Sequence, residues 1–390
     1  MKNKVIVISI FLALLITAVS TSALKIQNNN FDQSSVRKLD STDDAVLPIW
    51  DVGDRWTYDC VMNGGLEDFI DLNNLRFNDL EFEVIEVQND YYKMDMSGDI
   101  SGSVTLKLGI SLSGSLRSTT IEGEVYVNKS NLFVEEVENF LMSGYIKPGI
   151  GPQIAFEVDG KIVLFHGKTL LDFPLNRGDI WIVDEISANI NASVTVAGLL
   201  SDEVDITIFI QDHSMKCGKW DNLEIDAGNY DALKITKEDT YPLTDEKHNI
   251  WYSPAAGNIV KVQSRNIPFS WGGWGYYDID MELVSTTFEP DTNPPNIPDM
   301  PDGPEVIDVG IQGSYESSAT DPDDDIIRLI FDWGDGEISY SDFVDSGETV
   351  SATHTWTTTQ NDPFIVRVKA RDKYGVESDW SEGISVTVIN

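Results

Sequence analysis

The sequence predicts a mainly β protein: a large antiparallel β-rich region, followed by a small β-sandwich. Three observations predict it. Apolar and polar residues alternate with period two, as in "LEFEVIEV", "EGEVYV" and "VDITIFI". Gly, Asn and Asp punctuate these runs as turns. Helical periodicity is scarce. Alternation buries one face and wets the other, which favours antiparallel over parallel pairing.

Residues 1–23 read as a signal peptide. Lys2 and Lys4 precede the apolar run "VIVISIFLALLITAV", and small residues follow at Thr21 and Ala23. An uncleaved N-terminal anchor is the rival reading. Residues 24–46 are polar and read as a flexible leader. No second apolar run of membrane-spanning length appears.

Residues 47–170 and 171–290 read as two similar halves of one β-rich region. "LPIWDVGDRW", from Leu47, is echoed by "FPLNRGDIW", from Phe173. Each has Pro between apolar residues, then Gly-Asp, then Trp, which suits a turn feeding a strand. "LFVEEVENFLM", Leu132 to Met142, fits about three helical turns or a strand and loop.

Six of the chain's 15 prolines fall between Phe288 and Glu305, so 291–302 reads as an extended linker. Beyond it, 303–390 carries short β runs such as "IIRLIFDW" and "FIVRVKARD", the pattern of a sandwich. Here Asp332 and Asp335 flank Trp333 and Gly334 in "FDWGDG". In a tight turn Asp332 and Asp335 accept backbone N–H groups, Gly336 takes left-handed angles, and Trp333 fills the space between sheets. A glycosidase pair instead needs two carboxylates across a cleft. The turn reading is preferred.

"FDWGDG", "THTW" and "FIVRVKARDKYGVESDWS" in this order resemble the polycystic kidney disease (PKD) domain. The resemblance implies an immunoglobulin-like β-sandwich that serves adhesion, spacing or partner binding. It makes Trp333 the core tryptophan, with Trp356 on a following strand. Where related domains have glycine, this chain has Asp324. "IDAGNYDALKITKED" and "HNIWYSPAAGNIVKVQSR" resemble poorly characterised exported β-rich proteins. That likeness implies a half-barrel of the lipoprotein-carrier type with a lipid-holding concave face.

The 27 basic and 65 acidic residues give a net charge of −38. Such a surface repels nucleic acid and anionic membranes and attracts cations. Asp321, Asp323 and Asp325 in "TDPDDDI" can converge on calcium; a solvated acidic loop is the plain alternative. No other cofactor is expected. Phe269, Trp271, Trp274, Tyr276 and Tyr277 in "PFSWGGWGYYDID" read as a ligand-binding aromatic loop, or as rings folded over a sheet end. Cys60 and Cys217 either form a disulfide, which export allows, or stay as buried thiols. Asn128 and Asn191 open glycosylation-type sequons.

The four histidines form no HExxH or HxH spacing, and no Gly-x-Ser-x-Gly elbow occurs; a triad assembled from distant residues is a spatial arrangement that spacing does not decide. The sequence therefore predicts a non-catalytic secreted or cell-surface binding or adhesion protein, whose partner is a surface protein or glycan. An extracytoplasmic carrier or sensor of a lipid-like ligand is the alternative, and an exported hydrolase the third reading.

Overall fold

The computed structural model describes residues 44–66, 70–107, 111–165, 171–198, 200–210, 212–238, 247–270 and 274–390. The signal-peptide reading and Trp271 lie outside them. Asp44 and Ala45, at the end of the expected flexible leader, are buried. The chain divides into two compact units, with Leu47–Phe288 in one and Glu289–Asn390 in the other.

The first unit is a strand meander. Its first part comprises β1 (Arg55–Leu66), β2 (Ile70–Val87), β3 (Tyr91–Lys107), β4 (Ser111–Asn128), β5 (Val134–Pro148) and β6 (Ile154–Phe165). Its second comprises β7 (Ile180–Val183), β8 (Ile186–Val196), β9 (Leu200–Ile210), β10 (His213–Ile225), β11 (Gly228–Glu238), β12 (Lys247–Ser253), β13 (Asn258–Ser270) and β14 (Trp274–Thr286). All fourteen join one sheet. The alternation read from the sequence is visible in the burial, for example at Val158, Ile162 and Leu164 on β6.

The last strand returns to the first, while β9 joins β13 through the single pair Phe209–Ser270 and β7 stands at the end of the strand order, beside β10. β14 pairs with β1 along its length, Trp56 opposite Thr286 and Leu66 opposite Gly275. β-Bulges supply the curvature. Register slips surround Asn74, Asp79, Ser118, Asn139 and Asn266, all with positive φ. Asn and Asp tolerate this backbone best among residues with a side chain, and each bulge bends and twists its strand. The amide freed at a bulge finds a side chain on the neighbouring strand. Asn74 donates to Asn63 Oδ1 (2.7 Å), Asp79 to Asp59 Oδ1 (3.1 Å) and Asn266 to Asp278 Oδ1 (2.8 Å). At Gly64, φ is +140°, and a Cβ would lie 2.3 Å from the Tyr276 carbonyl oxygen.

One interior row runs Cys60, Met281, Val262, Ile250, Ile235, Cys217, every member buried. The cysteines thus share a face but stand five strand spacings apart, roughly 24 Å along the sheet. A disulfide needs Cα atoms within about 7 Å. Both remain as buried thiols, and the bridge is not formed.

The echoed segments form the same turn. Asp54 N–H donates to Asp51 O, and Asp179 N–H to Asn176 O, both at 3.1 Å. Gly53 and Gly178 occupy the third position with φ +99° and +96°, as a type II turn requires.

The second unit is a sandwich. A five-stranded sheet has the order β15 (Val306–Asp308), β21 (Ile384–Ile389), β20 (Phe364–Asp372), β17 (Ile327–Asp332), β18 (Ile338–Tyr340). A two-stranded sheet pairs β16 (Gly313–Ser318) with β19 (Thr349–His354). Trp333, Trp356, Tyr315, Phe331 and Val368 belong to the core of this unit. The proline stretch is packed rather than free: Pro295, Pro298 and Pro301 are buried. A three-residue repeat is that of polyproline II. Asp299 and Asp302 donate their amides to the Ser318 and Glu316 carbonyls of β16, at 2.9 and 2.8 Å.

Candidate functional site

The acid pair of "FDWGDG" is held by its own fold. Asp332 Oδ1 accepts the Gly334 N–H at 3.0 Å, and its Oδ2 takes Arg367 Nη2 at 2.9 Å. Asp335 Oδ1 accepts the Glu337 N–H at 3.1 Å, and its Oδ2 meets His354 Nε2 at 2.7 Å. Trp333 between them is fully buried, and its Nε1 donates to Ser339 Oγ at 2.9 Å. It stacks on His354 with ring centres 4.9 Å apart. Gly334 and Gly336 have φ +77° and +95°. Trp356, also buried, meets Trp333 edge-on at 6.2 Å. All four carboxylate oxygens thus have a partner within the turn or the strands beside it.

The second acidic cluster is different. Asp321, Asp323 and Asp325 offer carboxylate oxygens within 4.8 Å of one another. Asp324 between them has φ +62°, a left-handed backbone that glycine adopts most readily. Asp321 Oδ1 accepts the N–H groups of Asp323 (2.9 Å) and Asp325 (3.3 Å). Its Oδ2 is buried without a hydrogen-bond partner. Asp323 is held by Asn293, whose N–H donates at 2.7 Å. Asp325 Oδ1 takes Lys373 Nζ at 2.9 Å.

The sequence reading missed Asp372. At the end of β20 it is fully buried, and its Oδ1 accepts the N–H groups of Tyr374 and Val376, both at 2.9 Å. Thr292 Oγ1 lies 3.4 Å from Asp372 Oδ2 and 3.4 Å from Asp323 Oδ2. Burial above all, with the Asp321 and Asp325 charges, pushes Asp372 up to about 7 against the pull of its two amide partners. Burial also raises Asp321 and Asp325. Crowded, desolvated carboxylates resist ionisation unless a cation joins them. An all-oxygen donor set with one orphaned buried oxygen suits a hard ion such as calcium.

The aromatic loop divides. Tyr277 is buried opposite Gly64, so it belongs to the core and is no ligand platform. Tyr276, on the other face of β14, is 53 % exposed. Phe269 pairs with Gly275, and Trp274 with Ser270. Exposed rings that went unremarked in the sequence include Phe165 and Phe209. Each is a lone aromatic near a strand end, and no local pattern marks it.

No family profile matches the chain, and no curated protein is similar to it. Among solved structures, it is similar to the PKD domain of an M14-like peptidase from a Thermoplasmatales archaeon. Identity is 35 % over 25 % of this chain and 99 % of that one, with a TM-score of 0.24. A Corynebacterium diphtheriae protein whose name proposes a membrane anchor matches at 11 % identity. That match covers 86 % of this chain and 58 % of that one, with a TM-score of 0.18. Among the described residues, no helix is long and apolar enough to cross a membrane.

Proposed function

We propose that this chain is a non-catalytic, exported binding protein of the cell surface, and that its C-terminal unit is a PKD-type module that takes calcium. The observation that supports this reading is the engagement of Asp332 and Asp335: each carboxylate accepts a backbone N–H of its own turn and meets a side chain of a neighbouring strand, as turn-shaping residues do. The net charge of −38 directs the protein toward neutral or cationic partners. Calcium would be held by Asp321, Asp323 and Asp325, whose carboxylate oxygens lie within 4.8 Å of one another, with the buried Asp372 linked to Asp323 through Thr292. Bound there, it would also tie the Thr292–Asn293 segment to the sandwich.

A carrier of a lipid-like ligand is the alternative reading, supported by the single long antiparallel sheet of the first unit. Native mass spectrometry of the whole chain, purified gently from its own host, separates the two. The expected spectrum shows the chain alone or with calcium. A lipid-sized adduct lost on denaturation would replace the binding reading with the carrier.

A further inference from the structure

One rung of the first unit's sheet crosses β6, β8, β9, β13 and β14 as Phe165, Ser187, Phe209, Ser270, Trp274. Aromatic and small residues alternate from strand to strand. Adjacent strands lie about 4.8 Å apart, so residues two strands apart are separated by roughly 10 Å. Phe165 is 57 % exposed and Phe209 37 %. Neither is needed by the core, because the inward neighbours Leu164, Ile208 and Ile210 are already buried. Ser187 between the two rings leaves a slot.

Polar groups continue the same face. The next rungs read Val163, Asn189, Thr207 and then Lys161, Asn191, Asp205. Asn189 Nδ2 lies 3.1 Å from Asp205 Oδ1 and 3.2 Å from Thr207 Oγ1. A hollow of about 550 Å³ opens here, lined in part by Lys161, Val163, Asn189 and Asn191. Rings beside amides, hydroxyls and a carboxylate match the two chemistries of a sugar. Its C–H face covers an aromatic ring, and its hydroxyls both donate and accept. The acidic chain disfavours an anionic polymer.

We propose that Phe165, Ser187 and Phe209 of this rung, with the adjoining hollow, form a docking face for a neutral glycan, with Phe165 and Phe209 as stacking platforms. The proposal rests on the binding reading above and names its ligand class. The test is an array of neutral hexose and N-acetylhexosamine oligosaccharides, probed with the whole chain. Binding to at least one neutral glycan is expected. The Phe165→Ala/Phe209→Ala variant should weaken it about tenfold or more, the loss of two stacking contacts. Its thermal midpoint should not change, and Asp321→Asn/Asp323→Asn should bind as wild type does. If the double variant does not fold, Phe165→Ser alone serves, with a smaller loss expected. Absence of neutral-glycan binding, binding only to anionic glycans, or binding indifferent to the ring substitutions overturns the proposal. Wild type that binds host cells but no glycan leaves the broader binding reading standing; failure of both removes both.

Discussion

Trp56 and Trp181 occupy the same position after the same turn. Each lies three residues beyond a glycine of positive φ and is buried. Each faces a partner two residues before the strand position that brackets its turn. Trp56 is opposite Phe82, and Val84 exchanges backbone hydrogen bonds with Gly53 and Asp54 at 2.8 Å. Trp181 is opposite Met215, and Cys217 exchanges them with Gly178 and Asp179 at 2.9 Å. One local design therefore starts both parts of the unit.

The repeated turn predicts matched penalties. A Cβ at Gly53 or Gly178 would touch nothing within 4 Å, so only the backbone angle opposes a side chain. Gly53→Ala and Gly178→Ala should each cost about 1–2 kcal/mol, by equal amounts, in urea unfolding. Costs differing by more than about 1 kcal/mol would show that the two turns bear different loads.

Calcium should raise the melting temperature of the whole chain, because an ion bound only by the folded state stabilises it by mass action. Asp321→Asn/Asp323→Asn should remove the rise. No rise in the wild type, or an equal rise in the variant, sinks the calcium assignment.

His248 should make the first unit acid-sensitive. Burial, helped by the neighbouring His213 and Lys237 charges, lowers it to about 3, and its Nδ1 lies 2.5 Å from Ser264 Oγ. The unfolded imidazole takes a proton near 6.5, so the unfolded state binds more protons between about 3 and 6.5. The stability contributed by neutral His248 is complete above that window and lost as pH falls through it. Between pH 7 and 4.5 the wild type should lose about 2–3 kcal/mol more than His248→Gln. Identical pH profiles would contradict this.

Neither thiol should react in the folded protein. Burial, with the Asp280 and Asp59 charges, pushes the Cys60 thiol well above its ordinary value. Cys217 is equally enclosed. A chromogenic disulfide reagent should label both only after denaturation, and electrophoretic mobility should not depend on reductant. A mobility change on reduction would restore the bridge.

The "FDWGDG" turn should answer to stability alone. Trp333→Ala should cost about 3–5 kcal/mol, as for other large core truncations. Asp335→Ala should cost about 1–3 kcal/mol through the Glu337 amide and His354 it leaves. A variant with unchanged stability and lost binding would move Asp335 into a functional site.

Much of this was legible in the sequence because alternation reports burial directly. Where it failed, bulges were the cause. Val134, Val137 and Phe140 are spaced like a helix face, yet all lie buried on β5. The bulge between Val137 and Phe140, with Asn139 at φ +48°, shifts the inward set by one residue and imitates a helical period. Asp321 and Asp323 were visible as a local run. Asp372 was not, because β20 brings it to them from the far end of the module. The ring–serine rung was hidden for the same reason: its five members lie on five strands.

The return of β14 to β1 also fixes an order of events. The unit's first strand gains its outer neighbour only from the last, since Trp56 waits for Thr286. A nascent chain ending before Trp274 would present the unpaired edges of β1 and most of β13, an invitation to pairing with other chains. Folding is expected to be slow and to finish only after the whole unit has emerged. Until then the protein depends on whatever keeps its edges apart.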